Sequence, residues 1–261
     1  MKYGFIGCGN MGGAIAKALR RQTSSIMIAD PAPGAKVLAE GLEAVYTDNE
    51  TLASSCDRIF LAVKPHMMQG VLAPLQKALA EKKPLLITMA AGLEISQIEA
   101  FAGCALPVIR IMPNTPTAIG KGVIQYCAND LVNPNDLSSW LEDMRFCGLL
   151  DQLEERLIDA ASALSGSGPA YMYIFLEALA DGAVACGIPR AKAMEYAAMT
   201  MAGSAEMFLA TRQHPGALKD AVCSPGGSTI AGVRALEHKG FRGAAMDCVI
   251  ATYNRNKELG K

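Results

Sequence analysis

The segment that decides the fold is Lys2-Tyr3-Gly4-Phe5-Ile6-Gly7-Cys8-Gly9-Asn10-Met11-Gly12-Gly13. A run of strand character, Tyr3–Ile6, passes into three glycines spaced G-x-G-x-x-G, and apolar residues then recur at helical intervals over Met11–Arg21. Such a triplet alone is weak evidence, but between a first strand and a first helix each glycine has a mechanical purpose. Gly7 permits the tight turn, Gly9 lets main chain approach a pyrophosphate, and Gly12 or Gly13 lets helix and strand pack closely. The helix start adds unpaired N–H donors for the anion. About twenty residues on, Asp30 follows a second strand, where an acidic side chain accepts hydrogen bonds from adenosine ribose hydroxyls.

Working outward, apolar runs at Tyr3–Ile6, Ile26–Ala29, Arg58–Val63, Leu85–Met89 and Val108–Met112 alternate with helical segments such as Met11–Arg21 and Met68–Leu79. This is the pattern of a parallel sheet covered on both faces, a doubly wound α/β domain of Rossmann type. Beyond Leu157 strand character disappears. Ala- and Met-rich helical segments follow at Leu157–Leu164, Ala170–Cys186, Ala191–Ala210, Ala217–Val222, Thr229–Glu237 and Arg242–Leu259, with breaks at Gly166–Pro169 and at Gly187 and Pro189. The expected division is residues 1–156 as the dinucleotide-binding domain and 157–261 as an all-α domain whose many Ala and Gly positions suit subunit pairing.

The 261 residues carry a formal net charge of −1, so no long-range field gathers nucleic acid or an acidic membrane surface, and a small-molecule partner is expected. The eight cysteines (Cys8, Cys56, Cys104, Cys127, Cys147, Cys186, Cys223 and Cys248) are scattered without a C-x-x-C pair and read as cytosolic free thiols. His66, His214 and His238 are not spaced to share a helical face, so no metal site is expected. The chain opens into a strand without a secretory signal, and Glu177 and Asp181 interrupt its longest later apolar stretch, Met172–Ile188. A cytoplasmic protein that does not span a membrane is expected.

Ligands of open α/β sheets bind beyond the carboxyl ends of the strands. Two further strand ends belong there: Ala62-Val63-Lys64-Pro65, whose lysine is either a phosphate or substrate contact or a solvated loop residue, and Ala90-Ala91-Gly92. Asp30 repels a 2′-phosphate and so leans toward NADH, yet before Pro31 it also reads as a turn-initiating residue, and Lys36 or Arg21 could still reach a phosphate. The cofactor expected is NADPH or NADH.

Five stretches together resemble the pyrroline-5-carboxylate reductase family along nearly the whole chain. They are Gly4-Phe5-Ile6-Gly7-Cys8-Gly9-Asn10-Met11-Gly12, Ala62-Val63-Lys64-Pro65, Met112-Pro113-Asn114-Thr115-Pro116, Gly166-Ser167-Gly168-Pro169-Ala170-Tyr171 and His214–Glu237. The last contains Val222-Cys223-Ser224-Pro225-Gly226-Gly227-Ser228-Thr229; many members carry Thr or Ala where this chain has Ser228. The resemblance implies that Ile6, Gly7, Cys8, Gly9, Asn10, Met11, Asn49, Ala62, Val63, Lys64, Pro65, Ala90 and Ala91 line the dinucleotide. It also implies that Ser224, Gly226, Gly227, Ser228 and Thr229 hold a cyclic imino acid that is reduced to L-proline. It further implies a homodimer through the helical domain, often assembled into a decamer of five dimers.

That chemistry suits the residues. Two glycines before a helix start form a concave nest of N–H groups for a carboxylate, and the Thr229 hydroxyl can reach the ring nitrogen or the carboxylate. Without a ligand the same segment reads as a helix end capped by Ser224 or Ser228. An imine that arrives protonated requires positioning more than a strong acid. Two other signals read as incidental: Tyr253 and Lys257 lie far from the dinucleotide domain, and Glu177 with Asp181 reads as a solvated face. His214 either closes the pocket or caps a turn. A β-hydroxyacid dehydrogenase, the nearest alternative, uses a lysine on its first long helix, and this chain has none between Lys121 and Lys192. A non-catalytic NAD(P) sensor is the alternative of another class.

Overall fold

The computed structural model describes residues 1–23 and 25–259. The chain folds as two compact units, one made of Met1–Ser167 together with the chain from Thr252 onward, the other of Gly168–Ala251. The first unit runs β1 (Tyr3–Ile6), α1 (Asn10–Leu19), β2 (Ile26–Ala29), α2 (Pro33–Gly41), β3 (Val45–Tyr46), α3 (Asn49–Ser55), β4 (Arg58–Leu61), α4 (Met68–Leu72), α5 (Gln76–Lys82), β5 (Leu85–Thr88), α6 (Ile95–Ala102), β6 (Val108–Pro113), β7 (Gly122–Ala128), α7 (Pro134–Met144), β8 (Gly148–Gln152) and α8 (Glu155–Ser165).

The strands form one sheet in the order β3-β2-β1-β4-β5-β6-β7-β8. It is parallel from β3 to β6, while β7 pairs antiparallel with β6 and β8 runs parallel to β7. The order reverses between β1 and β4, which makes the carboxyl ends of those strands the switch point where such sheets open a crevice. The five expected strands are all present; β3, β7 and β8 lie outside that reading. The segment expected as one helix over Met68–Leu79 is divided into α4 and α5 by a 3₁₀ turn at Ala73–Leu75, where Pro74 lacks the N–H that a continuous helix requires.

Alternate residues of the strands feed two cores. Tyr3 and Phe5 join the layer with Ile15, Leu19 and Trp140, whereas Ile6 joins the layer with Leu52, Leu61, Leu72 and Ile98. Gly4 faces α3 so closely that a β-carbon would lie 2.5 Å from the Leu52 side chain.

Two buried arginines fasten helices to the sheet. Arg58, 1% exposed, donates to Asp143 on α7 at 2.9 Å, to the Tyr3 hydroxyl at 2.6 Å and to the Asp136 carbonyl at 3.0 Å. Tyr3 in turn donates to Asp143 at 2.6 Å, and burial, followed by that bond, raises its phenol pKa. Arg110 on β6 meets Glu155 at 3.3 Å and Asp159 at 2.7 Å, one turn apart on α8. These ties group α8 with the sheet, although the sequence alone puts a boundary at residue 157.

The second unit holds α9 (Gly168–Ala185), α10 (Arg190–Thr211), α11 (Pro215–Ala221), α12 (Ser228–His238) and most of α13 (Phe241–Leu259). Each of the six helical segments expected after residue 156 is observed, with ends shifted by no more than about two residues, an ordinary fraying distance. The helix stop and restart expected at Gly187 and Pro189 is a left-handed glycine, φ +94°, followed by a proline N-cap. The buried core of this unit is Ala180, Ala193 and Ala197, where α9 meets α10. Among the described residues, no helix is long and apolar enough to cross a membrane.

Removing Asp143 leaves the buried Arg58 guanidinium with the Tyr3 hydroxyl, the Asp136 carbonyl and, as its one remaining charge partner, the more distant Asp136 carboxylate at 3.9 Å. Asp143→Ala is expected to destabilise the sheet unit by about 3 kcal/mol, the lower end for one member of a buried ion pair, because Tyr3 and the Asp136 carbonyl still accept from it. Urea unfolding followed through the fluorescence of Trp140, the chain's one tryptophan, measures this.

Candidate functional site

The turn from β1 to α1 is built as its glycines require. Gly7 adopts φ +83°, a region that L side chains rarely enter, and a β-carbon there would lie 2.8 Å from the Ala62 carbonyl oxygen. At Gly12 a β-carbon would meet the Ala62 methyl at 2.9 Å and the Gly7 carbonyl oxygen at 3.0 Å. The helix therefore seats against the Ala62 methyl just past β4 and against the main chain of its own entry turn. Gly9, the N-cap of α1, is different: a β-carbon there would meet nothing within 4 Å. The first helical bond runs from Gly13 N–H to the Gly9 carbonyl at 2.8 Å, so the N–H groups of the preceding turn project from the helix end toward that space.

The space is a cleft of about 560 Å³ lined by Gly9–Gly12, Ala62–Pro65, Met89, Ala91, Met112 and Pro113. It lies at the switch point, and Lys64 is the charged residue of that lining. Small side chains and an open glycine opposite projecting N–H groups fit a dinucleotide pyrophosphate. The cleft thus brings together Gly9, Asn10, Met11, Ala62, Val63, Lys64, Pro65 and Ala91 of the expected set. Ile6, Cys8 and Ala90 are buried, with exposures of 1%, 6% and 2%, so main chain is what they can offer a ligand. Asn49 opens α3 behind the Asp48 cap, outside this lining. Met89, Met112 and Pro113 line the cleft without belonging to the expected set; the strand-end rule applied to β5 and β6 finds them.

Asp30 ties two turns together. One carboxylate oxygen accepts from Cys8 N–H at 2.5 Å and the other from Ala32 N–H at 2.7 Å, while the Asp30 carbonyl accepts from the Tyr46 hydroxyl at 2.7 Å. It is thus a turn-former, as its place before Pro31 suggests, and it also fixes the glycine turn. Burial, aided by the nearby Asp30 charge, pushes the Cys8 thiol up to about 12, which leaves it inert as a nucleophile.

Within the helical unit, Ser224-Pro225-Gly226-Gly227 makes a tight turn. Gly227 N–H donates to the Ser224 carbonyl at 3.0 Å, and Gly226 takes φ +69°, as the third position of a type II turn demands. Gly227 is the N-cap of α12 and no side chain caps the helix, so neither Ser224 nor Ser228 fills that role. Thr229 is exposed on the first turn of α12. His214 is a cap: its Nδ1 accepts from Gly216 N–H at 3.1 Å at the start of α11. Asp181 pairs with Arg190 at 2.6 Å rather than joining Glu177, and Lys257 lies over the Tyr253 ring at 4.2 Å. Among the described residues no group of His, Cys, Asp or Glu is arranged to hold a metal ion.

The model of pyrroline-5-carboxylate reductase dimerisation matches residues 155–259, and that of NADP oxidoreductase, coenzyme F420-dependent, matches residues 2–92. The pyrroline-5-carboxylate reductase of Escherichia coli (strain K12) is 41% identical, over all of this chain and 98% of that protein. The chain belongs to the pyrroline-5-carboxylate reductase family. The reductase of Synechocystis is 40% identical over all of this chain and 99% of its own length. The crystal structure of the Plasmodium falciparum enzyme, solved with NADP bound, superposes with a TM-score of 0.90 at 33% identity, covering 100% of this chain and 98% of that one.

The two glycines of the turn predict different failures. Gly12→Val drives side-chain atoms into main chain and is expected to destabilise the unit by roughly 1–3 kcal/mol or more. Gly9→Ala is expected to change stability by less than about 1 kcal/mol, while a methyl in the pyrophosphate space weakens dinucleotide binding by roughly five- to a hundredfold. Thermal unfolding and calorimetric titration of the cofactor separate the two effects.

Proposed function

We propose that this chain reduces 1-pyrroline-5-carboxylate to L-proline, the last step of proline biosynthesis, using NADPH or NADH. The observation that carries this reading is full-length family membership joined to a switch-point cleft with an open glycine turn. The reduced nicotinamide, when bound, supplies the hydride. For the dinucleotide we assign Ile6–Met11, Asp30, Asn49, Ala62–Pro65, Ala90 and Ala91. For the imino acid we assign Ser224, Gly226, Gly227, Ser228 and Thr229: the N–H groups at the start of α12 take the carboxylate, and the Thr229 hydroxyl holds the ring nitrogen. Neither the cleft lining nor the Ser224–Thr229 turn contains a carboxylate or an imidazole. That absence of a strong acid suits a substrate that brings its own proton and needs orientation above all.

We further propose residues 1–156 as the dinucleotide-binding domain and 157–261 as the domain for dimerisation and substrate, a division that falls close to where the dimerisation model begins. The helical unit exposes Tyr173, Ile174, Tyr196, Met199, Met207 and Phe208, and α11 and α12 bury none of their described residues. Helices this short do not persist in water without packing, so a second copy is expected to cover them. We infer a homodimer through these helices, and a decamer of five dimers as the larger assembly. The reading includes no membrane and no nucleic-acid partner, and the eight free cysteines suit the reducing cytoplasm.

Oxidation of NADH and NADPH is to be followed with 1-pyrroline-5-carboxylate and with an open-chain keto acid. Turnover confined to the cyclic imine is expected; cofactor binding without any turnover would instead identify a sensor. Thr229→Ala should lower kcat by roughly 10²–10⁴ with cofactor affinity unchanged, and wild-type turnover would remove Thr229 from the mechanism. Met199→Glu places a charge on the uncovered face of α10, and light scattering should show it shifting the assembly toward monomers.

A further inference from the structure

We propose that the β2–α2 turn makes this enzyme selective for NADH, with Asp30 as the residue that rejects a 2′-phosphate. The inference rests on the dinucleotide reading of the cleft and adds which dinucleotide the turn admits.

Asp30 lies just past the carboxyl end of β2, where the adenosine ribose is bound in sheets of this type. Its carboxylate cannot swing away, because each oxygen is held by a main-chain donor: Cys8 N–H at 2.5 Å and Ala32 N–H at 2.7 Å. The Tyr46 hydroxyl holds its carbonyl at 2.7 Å from a third side. Both donors to the carboxylate are neutral main-chain groups, and no ion pair to Asp30 is formed among the described residues, so no cation is paired with its charge. Each oxygen retains acceptor capacity for a ribose hydroxyl, whereas a phosphate brings like charge against it.

The rest of the turn offers a phosphate little. Pro31 and Pro33 have no N–H, that of Ala32 is given to Asp30, and that of Ala35 is given to the Ala32 carbonyl at 3.0 Å. Four of the five positions from Pro31 to Ala35 therefore lack an available main-chain donor. Arg20, at the end of α1, is engaged by Glu43 at 2.5 Å and by the Leu42 carbonyl at 2.6 Å. Arg21 and Lys36 are exposed cations that could hold a 2′-phosphate, and neither pairs with Asp30. The same carboxylate thus shapes the pyrophosphate turn through Cys8 and sets the charge at the ribose.

Calorimetric titration of the wild-type protein with each reduced cofactor, without imine, tests this directly. A Kd for NADPH higher than that for NADH by about tenfold or more is expected, with the gap narrowing at raised ionic strength as the like-charge contact is screened. Asp30→Ser should bring the ratio of the two constants toward unity, and Asp30→Asn, which keeps one acceptor for the turn, should move it the same way. NADPH bound as tightly as NADH by the wild type, with that affinity lost in Lys36→Ala, would overturn the proposal and leave the reductase reading intact. A parallel weakening of both cofactors in the Asp30 variants would also overturn it, since Asp30 would then only shape the turn. Failure to bind either cofactor would overturn the dinucleotide reading itself.

Discussion

The sheet unit is organised around an approach of main chain to main chain at the switch point, closer than any side chain tolerates. Gly7 and Gly12 bring the β1–α1 turn onto the end of β4 at Ala62, with distances to an imagined β-carbon of 2.8–3.0 Å. If that approach were relaxed, the first turn of α1 would no longer point its N–H groups across the crevice, and the opening at Gly9 would lose its far wall. Gly4 continues the same economy one layer below, where α3 lies directly on β1. Removing side chains along this line sets helix N-terminus, strand end and anion space at fixed separations.

Most of this was legible in the sequence because it depends on local rules. Glycine spacing after a strand, a period of two or of 3.6, and Gly or Pro at breaks are properties of a few neighbouring residues, and the segments that obey them folded as expected, apart from the helix over Met68–Leu79 that a 3₁₀ turn at Pro74 divides. What was not legible depends on distant partners. β3 is two exposed residues that become a strand only beside β2, and β8 has mixed exposure and relies on β7. The grouping of α8 with the sheet follows from Arg110, whose partners Glu155 and Asp159 lie more than forty positions away along the chain. For the site, the cleft residues from β1 and β4 followed from the strand-end rule. The double tether of Asp30 did not, because a carboxylate before proline suggests a turn and says nothing of Cys8.

The buried arginines serve orientation more than net stability. Desolvating a guanidinium and a carboxylate costs about as much as their attraction returns, so a well-packed apolar substitute would hold α7 or α8 about equally well. What such a substitute lacks is direction: Arg58 accommodates one placement of Asp143, and the guanidinium of Arg110 selects two carboxylates a helical turn apart. Asn114 adds to this at the end of β6, donating to the Ser165 carbonyl at 3.0 Å while accepting from Val123 N–H at 2.9 Å. Helix register is thereby set beside the strand ends that line the cleft.

The three alanines at the centre of the helical unit have a consequence for the protein's life in solution. Within one chain the apolar packing between α9 and α10 is confined to these alanines and the partly buried Leu176, Ala183, Val184 and Ile188 around them, a small return against the entropy of ordering five helices. In the proposed homodimer their persistence is governed by mass action: the folded fraction rises with protomer concentration, and dilution alone acts as a denaturant. For such a dimer a melting temperature is meaningful only beside the concentration at which it was taken.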